Sequence, residues 1–401
     1  MIHELSNTIQ SYAWGSRTAL AELRGAPSPS PSPEAELWMG AHPLAPSRLL
    51  PDLLGLDRAI ASAPAEMLGP TVAAAHDQKL PFLLKLLAAR EPLSLQAHPS
   101  REQARAGFAA EEAAGVALDA PHRSYKDDNH KPELLCALTE FWALYGFRDA
   151  SHTLELLCEL DVPELAAYRR TLGAAPNGGG IAALFSELML APAAERQRLA
   201  ERTTAACRAQ AAHGSRYSAE LGWGARLGEL YPGDVGVLVA LMLNLIRLEP
   251  GEAIYLPAGN LHAYLGGTGV EVMASSDNVL RGGLTPKHVN VPELLRVLDF
   301  TPLAPRALLP RADGAEHVYD ASAPEFRLSY FDVTSAPITT TVRGPEIWLV
   351  TSGEVTLVSP SEATLTLDAG RSAFVPFAAR ELRLRGSGRI FRAAVGHVSH
   401  R

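Results

Sequence analysis

The sequence predicts a mainly β protein with a helical insertion, built as two related β-barrels plus an α-helical domain. Three observations carry that reading. Residues 150–230 are rich in Ala, Leu, Glu and Arg, as in "LELLCEL" and "AERQRLAERTTAACRAQAA", the texture of packed helices. The flanking regions are short apolar runs with Gly and Pro at turn spacing. Finally, "LEPGEAIYLP" at 248–257 recurs as "LDAGRSAFVP" at 367–376, an offset of 119 residues. The shared pattern, L-[DE]-x-G-x-[AS]-x-x-[LV]-P, reads as a turn glycine, a short strand and a proline stop. Repetition at a fixed offset is the mark of a duplicated unit.

A chain of 401 residues is too long for one small core and calls for two or three domains. The expected division gives residues 1–99 and 126–150 to the first barrel, with 100–125 as a helical excursion. Residues 151–231 form the helical insertion, 232–302 complete the first barrel, and 303–401 form the second. "LPFLLKLLAAREPLSLQAHPS" at 80–100 reads as two strands joined by a turn at Glu91-Pro92. Ser100 is the expected cap of a helix ending at Gly115. "GAAPNGGG" at 173–180 breaks the helical block, and from 232 onward the texture is β. The Pro/Ser stretch "APSPSPSPE" at 26–34 is expected to be an exposed, extended loop.

Composition excludes several classes. A formal charge of −8 argues against a nucleic-acid partner, which calls for a basic face. The longest apolar run, "VGVLVALMLNLI" at 235–246, is too short to span a bilayer, so no membrane partner is expected. The N-terminus lacks a basic segment followed by an apolar core, so no secretory leader is expected. Cys136, Cys158 and Cys207 fit no disulfide or metal framework. They are expected to be buried or partly buried free thiols in a reducing cytoplasm.

Polar residues at the ends of apolar strands locate the chemistry. In "PLSLQAHPS", Ser94, Gln96 and His98 alternate with leucine and alanine, so they share one strand face. Glu133 opens "ELLCAL", and His262 follows "PAGNL". Two imidazoles, a carboxylate and an amide oxygen suit a borderline divalent ion such as zinc. In the first repeat, His262 stands five residues after the proline, and Glu381 takes that place in the second. One metal-bearing barrel and one metal-free barrel would produce that difference. In "VEVMASSDNVLRGGLTPKH", Arg281 and Lys287 offer cations to a phosphate or an enediolate oxygen.

Taken together, "QSYAWGS", "ELWMGAHP", "PFLLKLLAAREPLSLQAHPS", "YKDDNHKPELLCALTEF" and "NLHAYLGGTGVEVMASSDNVLRGGLTPKH" resemble type I mannose-6-phosphate isomerases, in order from the N-terminus to about residue 302. The repeated hairpin likewise resembles the second half of a cupin jelly-roll barrel. The resemblance implies two cupin-like jelly-roll barrels and an α-helical domain. It implies one Zn²⁺ per chain, held by Gln96, His98, Glu133 and His262. Arg281 is implied as catalytic, and Ser94 and Lys287 as phosphate contacts. Glu271 and Lys131 are the candidates for proton transfer, Glu271 being preferred on ordinary basicity. The implied reaction interconverts mannose 6-phosphate and fructose 6-phosphate through a cis-enediol. The partner is then a small sugar phosphate, and the protein a cytoplasmic monomer. A sensor would be expected to lack one of these groups, and a cupin oxygenase would want a His-x-His opening for a redox metal.

Overall fold

Two antiparallel sheets, of ten and eleven strands, and a block of helices make up the computed structural model, which describes residues 1–396. The final stretch of the expected second barrel, 397–401, lies outside the described residues. Strand His262–Ala274 is the spine of the first sheet. One edge pairs with Phe82–Ala89 and, at His262, with Leu95–Ala97. The other edge pairs with Glu133–Ala137 and Phe141–Phe147. Such a strand must bend between its two sets of partners, and Gly267 supplies the bend at φ 124. A Cβ there would lie 2.6 Å from the Glu140 carbonyl oxygen, so only glycine fits.

"FLLKLLAA" forms a strand because both of its faces are covered: every residue of Phe82–Ala89 is buried. Continuous apolar runs of this length mark strands packed on both sides. Lys85 is the one charge within it. Ser100 caps helix Arg101–Ala113 through a reciprocal box with Gln103. The helical block breaks where expected, between helices Ala166–Ala174 and Gly178–Leu190, and Asn177 caps the restart.

The duplication at offset 119 is physical. Strand Ala253–Leu256 corresponds to Ser372–Val375, and the start of His262–Ala274 corresponds to the start of Glu381–Ala394. The pairing repeats as well. Glu133 faces Leu256, and Glu346 faces Val375. Glu271 stands between Lys85 and Leu135, whereas Arg392 stands between Ser329 and Trp348. Glu36 pairs with Leu87, and Glu316 with Phe331. Both sheets therefore bury polar residues at the same grid points with a different arrangement of charge. Glu381, the counterpart of His262, is exposed.

Three expectations need correction. Strand His3–Ser6 pairs with Ser372–Val375 and Arg48–Leu49, so part of residues 1–99 belongs to the second sheet. The chain start completes the free edge of that strand, and in return Leu308 bridges to Ala253 of the first sheet. Next, the region after 232 is not wholly β, since Gly236–Leu241 and Val291–Val297 are helices. The first is apolar on every side, which hides its period. The second is capped by Asn290 with proline in its first turn. Last, Cys158 is exposed, while Cys136 and Cys207 are buried.

Burial pushes the Glu346 carboxyl up to about 7, although Arg392 and a hydrogen bond from Trp348 oppose the shift. The folded protein thus keeps a proton that the unfolded chain releases near 4.5. Stability contributed by this site is present at low pH and falls as pH rises from 4.5 to 7. We expect Glu346→Gln to remove on the order of 3 kcal/mol of that fall. Denaturant unfolding of both proteins from pH 4 to 8 checks it, and parallel curves would contradict it.

Candidate metal centre

Three ligand candidates converge from three strand ends. His98 lies one residue beyond Leu95–Ala97, Glu133 opens Glu133–Ala137, and His262 opens the spine strand. All three are buried, and their ligand atoms lie within 4.8 Å of one another. His98 Nε2 is 3.4 Å from Glu133 Oε1, and His262 Nε2 is 3.5 Å from Glu133 Oε2. The Nδ1 of His98 lies 2.7 Å from the Asn278 carbonyl oxygen, and that of His262 lies 3.0 Å from the Asn260 carbonyl oxygen. A carbonyl can only accept, so both Nδ1 atoms carry protons and both Nε2 lone pairs face the centre.

Those Nε2 atoms and Glu133 Oε2 have no hydrogen-bond partner. A buried polar atom left unpaired costs about 1–3 kcal/mol. Three such atoms aimed at one point fit a cation, and the N/O donor set suits zinc. Burial, partly opposed by Glu133, lowers His98 to about 4, so the ring is neutral at pH 7, as a ligand must be. Burial alone would raise Glu133, yet Lys131 and the two histidines hold it well below the carboxylate range. Lys131 Nζ is 3.1 Å from Glu133 Oε1.

Gln96 occupies a rung between His262 and Arg281, and Tyr145 extends the rung beyond His262. Directly paired residues project to one face, so Gln96 and Arg281 share the face of His262. Arg281 donates to Ser94 Oγ at 2.5 Å. Burial lowers the Arg281 guanidinium, and the Arg281 charge, followed by burial, lowers Lys287. Arg281 and Lys287 thus form a local cationic patch on an acidic protein, with Ser94 hydrogen-bonded to Arg281.

Glu271 is not free. Its Oε2 accepts from Lys85 Nζ at 3.0 Å and its Oε1 from the Tyr264 hydroxyl at 2.9 Å. Lys85 also lies 3.7 Å from Glu36, whose Oε2 accepts from Trp38 Nε1 at 2.7 Å. Burial raises Glu271. Burial opposes the charge on Lys85, but Glu271, Glu36 and Glu133 outweigh it and raise the ammonium.

Sequence reasoning missed Lys85, Glu36, Tyr264 and Asn278. Lys85 left a signal, as a single charge inside "FLLKLLAA". Asn278 left none, because "SDN" is a common turn. Its side chain accepts from Lys126 N at 2.7 Å and donates to the Asp127 and Asn129 carbonyls at 2.8 Å each. Of Lys126, Asp127 and Asp128 only Asp128 is exposed; Asp127 accepts from Ser276 Oγ and Asp277 N. Asp277 in turn lies 3.4 Å from His42.

Comparison with known proteins gives one answer. Residues 2–150 match the family model for the catalytic domain of phosphomannose isomerase type I. The chain is 38% identical over 399 residues to mannose-6-phosphate isomerase of Escherichia coli (strain K12), covering 98% of this chain and 99% of the relative. It is 33% identical over 409 residues to that of Homo sapiens, covering 93% of each. Among solved structures, a zinc-bound mannose 6-phosphate isomerase superposes with a TM-score of 0.90 at 37% identity, covering 99% of this chain and 100% of that one. The apo form from Salmonella typhimurium gives 0.91 at 37%, covering 99% of each.

Asn278 is buried and both fastens the 126–129 turn and presents the carbonyl that orients His98. We expect Asn278→Ala to cost about 3 kcal/mol from its lost buried hydrogen bonds. Denaturant unfolding measures this, and a loss below about 0.5 kcal/mol would be that of an ordinary surface position.

Proposed function

This chain belongs to the type I phosphomannose isomerase family, and from that membership we propose how its residues divide the work. The protein is a zinc-dependent aldose–ketose isomerase acting on mannose 6-phosphate, with fructose 6-phosphate as the ketose. The observation that carries the reading is the convergence of two imidazole lone pairs and one carboxylate oxygen, each without a hydrogen-bond partner, on one buried point. Gln96, on the same rung as His262, supplies the fourth ligand through its amide oxygen.

Isomerisation takes a proton from C2 of the aldose and returns one to C1, with an enediol between. Bound at this centre, Zn²⁺ supplies positive charge to the oxygens that become electron-rich on enolisation. Arg281 shares the face of His262 and stabilises developing oxyanion charge. Ser94 and Lys287 bind the phosphate, so that contacts remote from the reacting carbons orient them.

Proton transfer belongs to Lys131 or Glu271. Both Glu271 oxygens are engaged by Lys85 and Tyr264, whereas Lys131 Nζ lies against a metal ligand. That contrast favours Lys131 as the carrier and gives Glu271 a holding role. The two sheets are read as cupin-like jelly-roll barrels, catalytic and metal-free, beside the helical domain of 151–231. The enzyme is read as a cytoplasmic monomer; no helix among the described residues is long and apolar enough to cross a membrane.

Two measurements test this. Chelator-stripped protein should regain conversion of mannose 6-phosphate when zinc is added, and Gln96→Ala should regain little while holding less metal. Zinc-loaded wild type that leaves mannose 6-phosphate untouched would sink the substrate assignment. Lys131→Ala should slow exchange of the C2 proton with solvent by about 10²-fold or more, with Glu271→Gln slowing it less. The reverse order would return the role to Glu271.

A further inference from the structure

Glu325 lies in the bend between strands Glu316–Tyr319 and Arg327–Val333 of the second sheet, and its side chain is 1% exposed. Its Oε1 accepts from His130 Nε2 at 2.8 Å and also from Arg101. Neither partner belongs to the second sheet. Arg101 opens helix Arg101–Ala113, three residues past His98. His130 stands three residues before Glu133. One buried carboxylate from the second sheet therefore ties together the two segments that bring His98 and Glu133 to the metal centre.

The tie is a strong one in kind. Hydrogen bonds to an ionised carboxylate are shorter and roughly twice as strong as neutral ones. His130 Nε2 also lies 2.9 Å from the Arg101 guanidinium. A guanidinium only donates, so Glu325 is the acceptor for both neighbours when the imidazole proton is on Nε2. The backbone beneath Glu325 is fixed too, because Phe326 is buried in the core that both sheets share.

We propose that Glu325 is a positioning residue of the metal centre: through Arg101 and His130 it sets the spacing between the His98 and Glu133 segments, so the second sheet frames a site it does not line. This rests on the zinc-centre reading above. It also gives the metal-free half of the molecule a role in the chemistry of the other half.

The test uses the full chain loaded with zinc, comparing wild type, Glu325→Gln and the double variant Arg101→Ala/Glu325→Gln. Glutamine keeps the volume of glutamate, so folding is preserved while the charge is lost. Zinc transfer to a chromogenic chelator, kcat and KM for mannose 6-phosphate, and the apo-protein melting temperature are read on each. Removing an outer partner of a metal ligand weakens metal binding about 10–100-fold. Glu325 acts one step further out, through Arg101 and His130. Glu325→Gln should therefore release zinc about threefold to tenfold faster, lower kcat with KM little changed, and lower the apo melting temperature by only about 2–4 °C. The double variant should be no worse than the single, because both act through one contact. Zinc release at the wild-type rate from Glu325→Gln overturns the proposal. So does apo melting that falls in step with zinc retention, since the residue would then be a general brace. Wild type that never holds zinc overturns the metal-centre reading itself, a result distinct from either.

Discussion

Burying a carboxylate without a counter-charge costs several kcal/mol, and the first sheet buries three: Glu36, Glu133 and Glu271. Much of the site follows from how that cost is offset. Lys85 projects from an otherwise apolar strand to stand between Glu36 and Glu271. Glu133 has Lys131 on one oxygen and no hydrogen-bond partner on the other, and two imidazole lone pairs face the carboxylate. A divalent cation completes the balance at that point. The residues that hold the metal and those that neutralise the interior are thus one electrostatic system, and loss of either cation leaves a carboxylate exposed to the same penalty.

The second sheet meets the same constraint with the chain's own atoms. Glu316 and Glu346 occupy the grid points of Glu36 and Glu133, and Arg392 stands where Glu271 stands in the first copy. Arg392 reaches Glu316, lies 3.5 Å from Glu346 and donates to Thr340 at 3.1 Å. A guanidinium does there what Lys85 and the metal do in the first sheet. The position of His262 is taken there by the exposed Glu381. One half of the duplication offsets its carboxylates with lysine and a metal, and the other does so with an arginine.

The sequence made the candidate ligands legible because polar residues at the ends of apolar strands carry their own signal. Gln96 and His98 share a face by strand alternation, and Glu133 and His262 each open a strand. The repeat at offset 119 located the duplication to the residue, since turn glycine, strand and proline stop must recur together. What stayed hidden depends on contacts between distant segments. Asn278 looks like any turn asparagine until the 126–129 loop folds over it. Glu325 is one acid among many until Arg101 and His130 meet it. Strand exchange at His3–Ser6 and Leu308 has no local signature, and a helix apolar all round, Gly236–Leu241, reads like a strand.

The most direct measurement is anomalous diffraction at the zinc edge from crystals of the zinc-loaded protein. The electrostatic picture predicts one strong peak, bonded at about 2.0–2.2 Å to His98 Nε2, His262 Nε2, the Glu133 carboxylate and the Gln96 amide oxygen, and no peak beside Glu346. A zinc ion bound away from these residues, or an equal peak in the second sheet, would contradict it.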